Sequence, residues 1–136
     1  MATRAFYYRQ TDSIRITVRP SFIPEHSRPE LRQYVFTYRV RIENVGDRAV
    51  QLLTRRWLIH DSVGEETEVV GEGVVGLQPV IESGEVHEYS SFCVLKSGSG
   101  WMEGHYHFVD DSGDEFDAEI PRFILSQDSA SLGAKE

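Results

Sequence analysis

The chain has 136 residues, of which 40% are hydrophobic and 26% charged, and this composition is typical of one globular domain. Its 14 lysines and arginines against 22 aspartates and glutamates give a net charge of −8, which argues against sequence-independent nucleic-acid binding. The single cysteine, Cys93, excludes an internal disulfide, and no apolar run is long enough for a membrane span or a signal peptide, so we expect a cytoplasmic protein.

Apolar and polar residues alternate along most of the chain, which is the pattern of half-buried β-strands. The first clear strand covers residues 14–18 and the second covers residues 34–42, with a proline-rich loop at residues 20–32 between them. The third strand, residues 49–60, has apolar side chains on both faces. Because burial on two faces requires neighbours on both sides, this pattern predicts a central strand.

Four further strands are separated by turns rich in glycine and serine: Glu66–Val70, Val86–Leu95, Trp101–Val109 and Glu115–Leu125. About seven antiparallel strands at these spacings predict an all-β domain folded as a β-sandwich. We place this domain at residues 13–126. Residues 1–12 form an N-terminal extension without a clear pattern, and residues 127–136 form a polar tail that we expect to be disordered.

The register of the last hairpin follows from pairing core residues with core residues. Placing Tyr106 opposite Ala118 leaves a three-residue loop in which Gly113 can adopt a left-handed conformation. This register brings four candidate metal ligands to one outer face: His105, His107, Asp117 and Glu119. Imidazole and carboxylate groups suit cobalt, zinc or nickel. The alternative is that these residues are solvated cross-strand pairs.

A set of ordered motifs lies within the predicted domain: Tyr34-x-Phe36-x-Tyr38-x-Val40-x-Ile42-x-Asn44, Val50-Gln51-Leu52-Leu53 with Arg55 and Trp57-Leu58-Ile59, Gly71-x-Gly73-Val74-Val75-Gly76-x-Gln78-Pro79, Gly100-x-Met102-x-Gly104-x-Tyr106, and Ile120-Pro121-x-Phe123. In these motifs the chain resembles the ApaG family. The resemblance implies a fibronectin type III-like β-sandwich and a link to cobalt resistance and magnesium efflux in bacteria. Related domains in eukaryotic F-box and polymerase-interacting proteins are protein-binding modules, which implies a similar role here.

Gly71, Gly73 and Gly76 have the G-x-G-x-x-G spacing of a dinucleotide-binding turn. That turn joins a strand to a helix, whereas residues 77–81 have no helical pattern. Glu72 would also place a carboxylate beside the phosphates. We therefore expect a structural loop, with a backbone-amide site for pyrophosphate or a nucleotide as the alternative.

Evidence for an enzyme is weak, because no nucleophile lies in a recognisable catalytic motif. Cys93 lies in an alternating strand and fits the core. The run Arg55-Arg56-Trp57 could clamp an anion, although Trp57 on a central strand favours the core. We expect neither catalytic activity nor a cofactor.

Charge is distributed unevenly along the chain. Residues 1–60 hold 11 arginines and five acidic residues, whereas residues 61–136 hold three basic and 17 acidic residues. If the first two predicted strands pair, four arginines meet on one outer face: Arg15, Arg19, Arg39 and Arg41. The alternative is that carboxylates neutralise this face: Glu82, Glu85 and Glu88. We expect a binding module for another protein, or for a second copy of the chain in a homodimer, rather than for nucleic acid or a membrane.

Overall fold

The structure, a computed structural model, describes residues 6–128. These residues form nine β-strands: β1 Tyr7–Thr11, β2 Ile14–Phe22, β3 Tyr34–Asn44, β4 Val50–Asp61, β5 Glu65–Glu72, β6 Val80–Ile81, β7 Val86–Leu95, β8 Ser99–Asp110 and β9 Glu115–Ser126. Two single-turn 3-10 helices, Pro24–His26 and Pro29–Leu31, lie between β2 and β3. Nowhere in the described part of the chain does a helix have the length and apolar character needed to cross a membrane.

The strands form two antiparallel sheets that pack face to face. The first sheet has the order β1-β2-β3-β7, and the second has the order β5-β4-β8-β9 with β6 beside β4. Contacts of β1 and β2 with β9 join the two sheets along one side. On the other side, β7 and β5 are the terminal strands of their sheets. The predicted all-β sandwich is confirmed.

Alternating side chains from both sheets build the core between them. Phe36 and Tyr106 are fully buried, and the Trp57 ring packs edge-on against Tyr38 at a centroid distance of 5.4 Å. Trp57 is therefore a core residue, as its strand position predicts. Cys93 packs against the same core, and burial raises the pKa of its thiol to about 12.

Most of the predicted pairing is confirmed. β2 pairs with β3, and the last hairpin has the predicted register, with Tyr106 opposite Ala118 and Gly113 at φ +91°. β1 was not predicted, because only Tyr7 and Thr11 in this strand are even half-buried. Of the expected extension and tail, residues 1–5 and 129–136 lie outside the described residues.

A β-bulge in β4 changes which of its residues face the core. The pairing of β4 with β8 shifts between Leu52 and Thr54, so the alternation of faces moves by one residue. Leu52 is buried before the bulge, and Trp57 is buried after it. Arg55, two residues before Trp57, therefore shares the inner face. β4 is a central strand as predicted, and the bulge accounts for part of its apolar pattern on both faces.

Candidate functional site

The four predicted arginines lie on the outer face of the first sheet. Pairing of β2 with β3 places Arg19 opposite Arg39 and Arg15 opposite Glu43. Arg41, two residues from Arg39, points to the same side of the sheet. We call this surface the arginine face, and it consists of Arg15, Arg19, Arg39 and Arg41.

Two carboxylates lie among these four guanidinium groups. Glu88 on β7 accepts hydrogen bonds from Arg39 at 2.7 Å and from Arg41 at 3.0 Å, and these bonds hold the pKa of Glu88 below its ordinary value. Glu43 lies 3.7 Å from Arg41 and 3.9 Å from Arg15. Of the three carboxylates expected to neutralise this face, only Glu88 forms ion pairs with it among the described residues.

Exposed aromatic rings border the arginine face. Phe6 is 56% exposed and Tyr8 is 63% exposed, and the Arg19 guanidinium lies 5.0 Å from the centre of the Phe6 ring. A shallow groove of about 530 Å³ runs between these rings and the side chains of Arg15 and Arg41. Arginine beside exposed aromatic residues is typical of protein interfaces.

The predicted histidine cluster lies on the outer face of the second sheet. His107 lies opposite Asp117, and His105 lies opposite Glu119. The Nε2 atom of His105 is 3.9 Å from Asp117, whereas Glu119 forms an ion pair with Arg9 at 3.2 Å. Among residues 6–128, no group of three or more His, Cys, Asp or Glu side chains is arranged to hold a metal ion. The four residues share a surface, and the metal site stays a prediction.

His107 is bound on both ring nitrogens by carboxylates, at 2.6 Å from Glu115 and 2.6 Å from Asp117. These hydrogen bonds raise the pKa of His107 above its ordinary value. Their contribution to stability is therefore full below the unfolded pKa of about 6.5 and is lost as the pH rises through the folded pKa. In an NMR titration we expect a pKa of His107 above about 6.5, which Glu115→Gln lowers. A His107 pKa at or below about 6.5 in the unaltered chain would contradict the hydrogen bonds with Glu115 and Asp117.

The glycine loop forms a tight turn rather than a helix start. Val74 and Leu77 exchange backbone hydrogen bonds of 2.8 and 3.0 Å around Val75 and Gly76. Both central residues have positive φ, +47° for Val75 and +79° for Gly76, which defines a type I′ turn. The amide of Gly73 donates to the Leu53 carbonyl at 2.9 Å. The amides of Gly73, Val74 and Leu77 are thus engaged within the protein and do not point to an anion.

Gly71 has a different role, because it makes room for Arg55. The two residues lie opposite each other in β4 and β5, and a Cβ on Gly71 would lie 2.8 Å from the Nη1 atom of Arg55. That Nη1 atom donates hydrogen bonds to the carbonyls of Glu72 at 2.9 Å and Gly73 at 3.0 Å. Within the described residues, Arg55 forms no ion pair with a carboxylate.

A small cavity lies beside this guanidinium, between β7 and the glycine loop. Its volume is about 180 Å³, and we call it the Arg55 cavity. Seven residues line it: Tyr38, Arg55, Trp57, Val74, Val75, Tyr89 and Ser91. The sequence offered one signal for this placement, because Arg55 precedes the core residue Trp57 by two positions and must share its face.

The outer face of the second sheet carries a further groove, of about 440 Å³. Its three arginines each pair with a glutamate: Arg9 with Glu119, Arg56 with Glu68 and Arg122 with Glu103. This groove is therefore balanced in charge, unlike the arginine face.

Comparison with known proteins agrees with this architecture. The family model of the ApaG domain matches residues 24–110. The chain is 52% identical over 115 residues to Protein ApaG of Anaeromyxobacter dehalogenans, covering 85% of this chain and 90% of that protein. It is 49% identical over 119 residues to Protein ApaG of Rhodospirillum centenum, covering 88% and 92%. The crystal structure of a Bordetella pertussis protein described as ApaA matches with a TM-score of 0.81 and 41% identity, over 88% of this chain and 94% of that one. The chain therefore belongs to the ApaG family.

Proposed function

We propose that this chain is a non-catalytic binding module that holds an acidic segment of a partner protein on the arginine face. The observation that carries the proposal is an excess of positive charge: four guanidinium groups face two carboxylates, on a chain whose net charge is −8. Carboxylates of a partner would complete this surface through bidentate hydrogen bonds with arginine.

The partner need not break a strong network to reach these arginines. The Arg39 side chain is 59% exposed, and an exposed ion pair such as the one with Glu88 contributes only about 0–1 kcal/mol. A partner carboxylate can therefore replace Glu88 at small cost. Phe6 and Tyr8 at the border supply apolar surface that a partner would bury.

We also propose that the link to divalent-cation homeostasis, which the family resemblance implies, acts through the bound partner. In that arrangement the domain selects and positions another protein, and the partner carries any cation chemistry. The affinity of the domain for this partner, rather than any affinity of the chain for metal ions, would then determine how strongly the domain affects cation homeostasis.

Removing charge from the arginine face tests this proposal. The full chain serves as bait in a bacterial lysate. Arg39→Gln combined with Arg41→Gln should weaken capture of the partner that the wild-type chain binds at least tenfold. Glu88→Gln should strengthen it, because the competing carboxylate is gone. Capture by the wild-type chain should fall as salt is added.

The matched control is Arg48→Gln combined with Arg122→Gln, which removes two exposed arginines outside the arginine face. This control should capture as much partner as the wild-type chain does, and thermal unfolding should show that every variant folds. Equal capture by the Arg39/Arg41 variant and the control would remove the arginine face from consideration.

A further inference from the structure

We propose that the Arg55 cavity binds a small monocarboxylate with a compact apolar body, about the size of benzoate. This site is separate from the proposed protein interface, because it lies between the two sheets and the arginine face lies on the outside of one of them.

The guanidinium of Arg55 is anchored on one side and open on the other. Its Nη1 atom donates to two backbone carbonyls, those of Glu72 and Gly73, at 2.9 and 3.0 Å. The Nη2 and Nε atoms have no hydrogen-bond partner among residues 6–128. These two nitrogens form the edge that pairs bidentately with a carboxylate.

The charge of Arg55 is not neutralised within the described residues. None of the seven residues that line the cavity is acidic. A bound carboxylate would therefore supply this half-buried guanidinium with the counter-ion that the described residues do not provide. Gly71 leaves room for the guanidinium in this position, because a Cβ there would lie 2.8 Å from the Nη1 atom of Arg55.

The walls of the cavity decide what kind of anion fits. Trp57, Val74 and Val75 are apolar lining residues, while Tyr38, Tyr89 and Ser91 are lining residues that carry a hydroxyl group; that of Tyr89 is hydrogen-bonded to the Tyr106 hydroxyl. A single guanidinium matches a single negative charge, and the amides of Gly73, Val74 and Leu77 in the glycine loop already donate to backbone carbonyls. These features favour a carboxylate with an apolar body over phosphate or pyrophosphate.

The volume of about 180 Å³ also sets an upper limit on size. Sites for drug-sized ligands and cofactors occupy about 300–1,000 Å³, so a nucleotide does not fit. Val75 is 64% exposed while it lines the cavity, so the cavity reaches the surface beside the glycine loop. An aromatic or branched aliphatic monocarboxylate can therefore enter without opening the sandwich.

The test is an NMR titration of the full chain with benzoate, compared with benzamide, its neutral counterpart, and with inorganic phosphate and pyrophosphate. We expect benzoate to bind at least tenfold more tightly than the other three. Its shifts should be centred on the amides of Val74, Tyr89 and Ser91. Because this readout uses the unaltered chain and no protein partner, it is independent of the proposed protein interface.

Two variants then test which arginine binds benzoate. Arg55→Lys keeps the charge but loses the bidentate edge, and it should weaken benzoate binding at least tenfold. Arg48→Gln, at an exposed arginine outside both proposed sites, should leave binding unchanged. Equal affinity for benzoate and benzamide, tighter binding of phosphate or pyrophosphate, shifts centred on the arginine face, or no binding of benzoate at all would each overturn the proposal.

Discussion

Replacing Phe36 by alanine should lower the free energy of unfolding by about 3–5 kcal/mol. Phe36 is fully buried on β3, which lies between β2 and β7, and its ring is 5.3 Å from that of Phe22. With a paired strand on each side, the backbone cannot close over the space left by the ring. Urea denaturation of the variant and of the wild-type chain measures this loss directly.

Arg39→Ala is the matched control on the same strand. The Arg39 side chain points to the opposite face, is 59% exposed, and loses only the ion pair with Glu88. The expected cost is therefore below about 1 kcal/mol. A larger loss for Arg39→Ala than for Phe36→Ala would mean that β3 presents its faces the other way round.

Gly73→Ala should lower the free energy of unfolding by about 2–5 kcal/mol, because two penalties add at this position. The residue has φ +64°, which costs an L-residue about 1–2 kcal/mol. A Cβ there would also lie 2.2 Å from the Leu77 carbonyl oxygen, and displacing packed backbone costs about 1–3 kcal/mol. Thermal or chemical unfolding measures the sum.

Gly76→Ala separates the two penalties. Gly76 has φ +79°, but a Cβ at this position meets nothing within 4 Å, so only the conformational cost of about 1–2 kcal/mol applies. Equal losses of unfolding free energy in Gly73→Ala and Gly76→Ala would contradict the close contact at Gly73.

Pyrophosphate and ATP should leave the melting temperature of the wild-type chain unchanged. A pyrophosphate-dependent rise in melting temperature that Gly73→Ala removes would instead support an anion site at the glycine loop.

The parts of the fold that alternate strictly could be predicted from sequence. In the last hairpin, Tyr106 and Ala118 must both face the core, and this requirement fixes the neighbouring pairs up to the bulge before Gly104, including His107 with Asp117. The arginine face depended on one condition, the pairing of β2 with β3, which alternation alone does not establish. Because these strands do pair, the alternation places each of the four arginines on the outer face.

Other features depend on contacts that a local pattern does not contain. β1 buries too little to alternate, so its pairing with β2 and the ion pair of Arg9 with Glu119 were missed. Glu88 is one of the three carboxylates considered from sequence for the arginine face, but the pairing of β7 with β3, a contact between distant parts of the chain, decides that it reaches the face. Strand periodicity does not specify which distant strands become neighbours.

The position of Arg55 beside its cavity is hard to predict from sequence for a different reason. A single-residue bulge in β4 reverses the faces of the residues that follow, and nothing in the composition around Leu53 marks it. Counting from the start of the strand would have placed Arg55 outside. Counting back from Trp57 places it inside, because the core position of that ring is independent evidence of the face.

Whether the arginine face holds the partner can be measured by amide NMR of the isotope-labelled full chain with the captured partner bound. The largest shifts are expected in β1, β2, β3 and β7, around Tyr8, Thr17, Arg41 and Glu88, with β8 and β9 unchanged. Shifts confined to β8 and β9, or to the glycine loop, would show that the partner binds elsewhere.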